Sequence, residues 1–324
     1  MGSNVPQLKR LGALAVTLIV LAGCGQITSP ATPTPTPTPS RPGPALVQVE
    51  NSVLARPLSG LQHADIVYEY LAEGGITRMT VIFFNPSGTE RIEPVRSARP
   101  ITLLLQKSYQ GVIFFSGASS KVLGQIRDQQ IPALSEGSDG GVYFARDPQR
   151  RAPHNLYTDG DRLRQGLDKH APRVTYQLPP SGSPPASPSP APASRIDFRQ
   201  TSFHRVTDIY SPAENAYTYV ADGSPLMDTD TGHAIKPVNV IVIQVAHHDA
   251  GFTDVLGAPA QAFDLQGTGK ADVFSGGHHF AATWDLSTPD QPVRYLGADG
   301  KPIRLPQGLT WVYVVDPGTT IAFS

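Results

Sequence analysis

The sequence predicts an α/β or α+β domain followed by a small all-β domain, the two joined by a Pro-rich linker. Three observations lead there. Strand and helix signals alternate over residues 46–178, strand signals punctuated by hairpin turns run alone through 195–324, and the run at 179–194 carries 7 prolines in 16 residues. That run holds almost no apolar side chain that could join a core, so it reads as a linker.

The chain opens with two segments that belong to neither domain. Lys9 and Arg10 lead into the apolar stretch Leu11 to Gly23, which stops at Cys24, the order of parts of a signal peptide. A helix of that length rises only about 20 Å, short of the roughly 30 Å of a bilayer's hydrocarbon core, so residues 1–23 read as a segment to be removed. Leu21-Ala22-Gly23-Cys24 is similar to a lipobox, in which the cysteine receives the lipid. Cys24 is the only cysteine, which fits lipidation and leaves no disulfide or thiolate metal site. Residues 24–45 then carry Thr32 to Pro39 as alternating Thr-Pro, a polyproline-type stalk.

In the first domain, Leu46–Glu50, Asp65–Leu71 and Arg78–Phe84 read as strands, with Glu73-Gly74-Gly75 as a hairpin turn between the last two. Pro100 suits the first turn of a helix reaching Tyr109, with Ser97 or Ala98 near its cap. Gly111–Ser116 reads as a buried strand, Gly117 to Ser120 lead into a second helix ending near Gln129, and Thr158 to Asp161 cap a third that runs towards His170. In the second domain, strand signals at 217–220, 239–245, 260–265, 271–274, 280–284, 293–296 and 310–315 are separated by Asp222-Gly223, Ser275-Gly276-Gly277 and Asp299-Gly300. That spacing points to a small sandwich or barrel.

Several blocks in order give the chain a family resemblance over nearly all of 46–324. In the first domain they are Arg56-Pro-Leu-Ser-Gly-Leu61, Ala64-Asp-Ile-Val-Tyr-Glu69, Glu73-Gly-Gly-Ile-Thr-Arg78, Pro94-Val-Arg-Ser-Ala-Arg-Pro100 and Arg151-Ala-Pro-His-Asn-Leu-Tyr157. In the second they are Asn239-Val-Ile-Val242, Gly267-Thr-Gly269, Thr283-Trp284, Asp299-Gly-Lys-Pro-Ile303 and Gly308-Leu-Thr-Trp311. The sequence resembles the YerB-like lipoproteins of bacteria, built from an N-terminal and a C-terminal domain of unknown function. The resemblance implies a lipid-anchored protein on the extracytoplasmic side of the cell membrane and carries no reaction with it. The length of the Pro-rich run departs from a compact joint and argues against a fixed mutual orientation of the domains.

With 26 Lys+Arg against 27 Asp+Glu the formal charge is -1, so nucleic acid is not an expected partner and any ionic recognition is local. The most informative local cluster is Arg96-Ser97-Ala98-Arg99-Pro100. Two guanidiniums at a helix start require a negative partner. That partner is either Glu69, Glu73 or Glu93 of the same domain, or a bound phosphate or carboxylate. Arg78, Ser97, Ser116 at a strand-to-helix turn, and His154 and Asn155 in a polar loop complete the candidate binding set. An envelope protein is the other partner class that this face suits.

An enzymatic alternative makes the protein a cell-envelope hydrolase using Glu69 or Glu73 with His154. Residues four apart on one strand stand about 13 Å apart, too far for either hydrolytic geometry unless the chain turns at Glu73. No nucleophile elbow, P-loop or dinucleotide fingerprint is present, and no cofactor is expected. A zinc site would need one histidine from His247-His248, one from His278-His279 and a carboxylate, against exposed hairpin histidines as the plainer reading. Trp284 and Trp311 are either core anchors or a sugar-stacking pair.

Overall fold

The computed structural model describes residues 1–3, 40–176, 178, 181–183, 190–254 and 257–324. The expected signal peptide, Cys24 and nearly all of the stalk fall within 4–39, outside the described residues. Folded chain begins ahead of residue 46: Arg41–Pro42 pairs antiparallel with Arg173–Val174, and Gly43 donates its N–H to the Pro172 carbonyl at 2.9 Å.

The first half follows the expected alternation. Its elements are β1 (Ala45–Glu50), β2 (Ile66–Leu71), β3 (Thr77–Phe83), α1 (Pro100–Tyr109), β4 (Val112–Phe115), α2 (Ser120–Asp128), β5 (Ala133–Ser135) and α3 (Gly160–His170). All six residues of β1 are buried, as expected of a strand covered on both faces. Leu46 faces one way, towards Tyr68, Tyr70 and Ile82; Val47 and Val49 face the other, towards Val67, Met79 and Val81. Ile101, Leu105 and Tyr109 recur at four-residue intervals and lay α1 on the first face. On the second face, Leu163 and Leu167 of α3 pack near Phe114. Gly166 is required there, since a Cβ would lie 2.7 Å from the Phe114 ring.

One cap differs from expectation. The N-cap of α1 is Arg99, whose backbone N–H is held by Thr102 Oγ1 at 3.0 Å. Thr102 in turn donates to the buried Gln48 at 2.7 Å, which pins the helix start to β1. The caps of α2 and α3 are Ser119 and Asp159.

The second half is all strand: β6 (Arg195–Thr201), β7 (His204–Ser211), β8 (Ala216–Ala221), β9 (Asn239–Gln244), β10 (His247–Thr253), β11 (Pro259–Phe263), β12 (Gly267–Ser275), β13 (His278–Leu286), β14 (Arg294–Leu296) and β15 (Thr310–Val315). It does not close into a sandwich or barrel of its own. β13, β12, β9 and β15 continue the sheet of the first half in the order β13-β12-β9-β15-β2-β3-β1-β4-β5, with β15 parallel to both β9 and β2. β6, β7 and β8 form a separate antiparallel sheet, flanked by Ser224–Pro225 and Ala322–Phe323, that covers one face of the shared sheet through Ile196, Phe198, Tyr217 and Tyr219.

The two halves are therefore fixed to each other, and Pro39–Ser324 is one compact unit. The end of the Pro-rich run belongs to it. Ala191–Pro192 pairs with β13, and Ala193, fully buried, donates to the Gly277 carbonyl at 2.8 Å. The expectation of a variable orientation fails because β15 must cross the linker in sequence to fill the edge that β2 otherwise leaves open. No helix among the described residues is long and apolar enough to cross a membrane.

A shared sheet predicts one cooperative transition. Urea unfolding followed by tryptophan fluorescence and by far-UV circular dichroism is expected to give coincident curves. Residues 40–176 expressed alone are expected to aggregate through the bare β2 edge; a soluble, cooperatively folding fragment would show that the halves are independent.

Candidate anion-binding site

A cavity of about 640 Å³ opens beyond the carboxyl ends of the parallel strands β1 and β4, where open α/β sheets place ligand sites. β1 ends there in Glu50, and β3 begins there opposite it with Arg78. The turn between β2 and β3 contributes Glu73 and Gly74. The segment running into α1 supplies Arg96, Ser97 and Arg99, and the turn after β4 supplies Gly117, Ala118 and Ser119. His154 closes one side, and Phe252 and Asp254 of the β10–β11 hairpin another.

The carboxylates at the inner end are already engaged. Glu73 accepts from Arg99 Nε at 2.6 Å. Glu50 Oε2 lies 2.8 Å from His154 Nδ1 and 3.1 Å from Arg96 Nε, the latter an ion pair too poorly aligned to count as a hydrogen bond. Burial alone would raise the Glu50 carboxyl, but Arg78 and Arg96 overcome it and hold the group below its ordinary range. Asp254 accepts the N–H of Ala258 in its own hairpin at 2.9 Å.

Arg78 has no such partner. The residue is 3 % exposed, and its Nε and Nη1 are enclosed without any hydrogen-bond acceptor. Desolvation, then the like charges of Arg99 and Arg96, lower its pKa to about 10. The three guanidiniums outnumber the two glutamates beside Arg78, although Asp254 of the β10–β11 hairpin brings the cavity lining as a whole to formal balance. A buried, unsatisfied donor fork costs free energy unless something fills it, on the order of 1–3 kcal/mol per group and more when charged.

The expected binding residues divide. Arg78, Arg96, Ser97, Arg99 and His154 line the cavity, brought together from a strand start, an irregular segment, a helix cap and a loop. Ser116 does not line it; its backbone N–H donates to the Arg96 carbonyl at 3.0 Å and so supports the arginine from behind. Asn155 ties down its own loop instead, donating to the Asp147 carbonyl at 3.3 Å and accepting from Arg146 at 2.7 Å. Glu93 pairs with Arg91 and Arg150, not with the arginines of this cluster. Glu50 was legible only as a strand end, because its role comes from the β1–β3 register.

The proposed acid or base role of Glu69 is overturned. Glu69 is fully buried between the two sheets and touched by five side chains: Asn51 at 2.8 Å, Thr77 at 2.8 Å, Trp311 at 3.0 Å, Tyr219 at 3.1 Å and His204 at 3.2 Å. No substrate reaches it. The chain does turn at Glu73, in a short 3-10 segment, which sends Glu73 to the cavity and leaves Glu69 in the core.

The remaining candidates resolve separately. His247 pairs with Asp316, His248 with Asp264 and His279 with Asp272, while His278 bonds the Gly276 carbonyl. Among the described residues no group of three or more potential ligands converges on a metal position. Trp311 and Trp284 are both buried, on opposite faces of the shared sheet, which leaves no sugar-stacking surface between them.

Comparison with known proteins gives a consistent picture. Residues 31–173 match the family described as protein of unknown function (DUF3048), N-terminal domain, and residues 195–312 match its C-terminal domain. YerB of Bacillus subtilis (strain 168), provisionally described as a lipoprotein, is 28% identical over 280 residues, spanning 84% of this chain and 81% of its own. The crystal structure of YerB from Bacillus subtilis superposes with a TM-score of 0.69 at 26% identity, covering 87% of this chain and 94% of that one.

The Glu69–His204 pair has a pH signature. Glu69 is held below its ordinary 4.5, against burial, mainly by His204; its contribution is present above that value and lost as pH falls through the lowered one. His204 is raised above 6.5, against burial, by Glu69 and Asp222; its contribution is complete below 6.5 and lost as pH rises through the raised value. Stability measured by urea titration is expected to peak between these limits, and the His204→Gln variant to lose that peak. Glu69→Ala is expected to cost about 3–5 kcal/mol. A pH profile unchanged by His204→Gln would show that the pair is not ionised.

Proposed function

The chain belongs to the DUF3048 family through both of its halves, and on that footing we propose that it is a lipid-anchored lipoprotein on the extracytoplasmic side of the membrane that binds an anionic envelope component. The basic start, apolar stretch and lipobox at Cys24 support the anchor, as does the description of the Bacillus relative as a lipoprotein. One observation carries the binding reading: Arg78 is buried in a cavity wall with two donor nitrogens unfilled, while its neighbours Arg96 and Arg99 already have their carboxylates.

Binding without catalysis fits the same geometry. Glu50 and Glu73 are neutralised by arginines, His154 is held by Glu50, and Glu69 is out of reach. The hydrolase alternative loses its Glu69 form outright, and its Glu73 form would require the Arg99 pair to open first.

An arginine that serves only the fold and one that waits for a ligand behave oppositely when removed. Arg78→Met, in a chain carrying Cys24→Ser so that it takes no lipid, is expected to leave the melting temperature unchanged or raise it, because an uncompensated buried charge is lost. Binding of inorganic phosphate or sulfate, followed by calorimetry at low salt, is expected to weaken about 10- to 100-fold in the same variant. A variant that is destabilised but binds anions as before would mean that Arg78 is structural and the cavity has another purpose.

A further inference from the structure

The cavity has a second character that an inorganic anion does not use. Its walls away from the arginines are largely apolar, formed by Ile76, Val122, Phe252 and Leu54, with Asp254, which accepts the Ala258 N–H of its own hairpin, beside Phe252. Leu54 lines the cavity yet is 80% exposed, and its neighbour Val53 is 72% exposed. Phe203, 76% exposed, stands beside the same rim with its ring against Gly75, where a Cβ would lie 2.7 Å from it, one residue past the cavity-lining Gly74. Exposed large apolar side chains gathered at the mouth of a charged pocket mark a surface kept for contact with something apolar.

The inner end also selects among anions. Its guanidiniums approach from three elements, β3, the segment before α1, and the α1 cap, and the N-terminus of α2 meets the same space beside the Ser119 hydroxyl. A planar carboxylate matches one guanidinium fork; a tetrahedral group with three or more acceptor oxygens can answer several at once. The helix start adds a partial positive charge aimed at the same place.

We propose that the occupant is a phosphate-headed amphiphile, with its phosphate on Arg78, Arg96 and Arg99 and its apolar chain leaving the cavity over Leu54, Val53 and Phe203. This rests on the anion-binding reading and narrows it to one chemical class. Charge complementarity seats the head, and the rim shelters the first part of the chain from water. Val53 and Leu54, consecutive in the short 3-10 turn Val53–Ala55, are left uncovered by the described residues.

The test uses the Cys24→Ser chain and isothermal calorimetry with four probes: inorganic phosphate, glycerol 3-phosphate, monomeric dodecyl phosphate and dodecanoate. Dodecyl phosphate is expected to bind at least about tenfold tighter than each of the other three. In Val53→Ser/Leu54→Ser the ratio of dodecyl phosphate to inorganic phosphate affinity is expected to collapse towards one, and in Arg78→Met both affinities are expected to fall. If inorganic phosphate and glycerol 3-phosphate bind as tightly as dodecyl phosphate, the amphiphile is overturned and anion binding stands. Equal binding of dodecanoate overturns the phosphate head, an undiminished ratio in the serine variant overturns the rim, and failure of every anion overturns both readings.

Discussion

The Glu69 carboxylate is the point at which the two halves of the chain are locked. It sits on β2, and its partners come from β15, β7 and β8 as well as from its own neighbours Asn51 and Thr77. A carboxylate buried this deeply is tolerated only when its lone pairs are filled, so the residues that fill them must be in place together. Trp311 cannot reach Glu69 unless β15 lies beside β2, and Tyr219 and His204 cannot unless the second sheet covers that face. The same interaction therefore specifies the strand order of the shared sheet and the packing of the smaller one. Asp208, enclosed nearby with Tyr313 at 3.4 Å, is driven well above the usual carboxylate range by burial and by Glu69, which favours its neutral form in the same layer.

The opposite face of the same β2–β3 hairpin, where Arg78 pairs with Tyr70 beside Glu69, follows another rule. At Glu69 every donor and acceptor is matched; nine residues later on β3, Arg78 is enclosed and unmatched. Native structures leave few buried polar atoms unpaired, and those that persist tend to mark places where stability has been given up for another end. The surrounding ion pairs concentrate the unmatched donors on Arg78; Arg96 Nε also lacks an aligned acceptor but stands 3.1 Å from Glu50. Arg96 and Arg99 are each held by a glutamate, so the cluster stays folded with the cavity open, while Arg78 retains the donor capacity that a ligand would use.

Much of the fold was legible in the residues. The strand runs of the first half, the Pro100 start of α1, the Ser119 and Asp159 caps and most strands of the second half appear within a residue or two of their expected positions. Four strands escaped notice: β5 is only three residues long, and β6, β7 and β10 are rich in charged or histidine residues, so no continuous apolar run marks them. Of the site, the arginines and His154 were marked by their types and by the helix start. Glu50 was not, since a glutamate closing an apolar strand carries no signal of its own.

The sequence by itself determined local conformation, the apolar faces and the family to which the chain belongs, because each is written in short runs of residues. Only the tertiary structure decided that the halves share a sheet, that Glu69 is sealed while Glu73 faces a cavity, and that Arg78, unlike Arg96 and Arg99, has no carboxylate within ion-pair distance. These depend on which strand lies beside which. Parallel pairing of β15 with β2 joins residues more than two hundred positions apart, and no local pattern records a contact of that range.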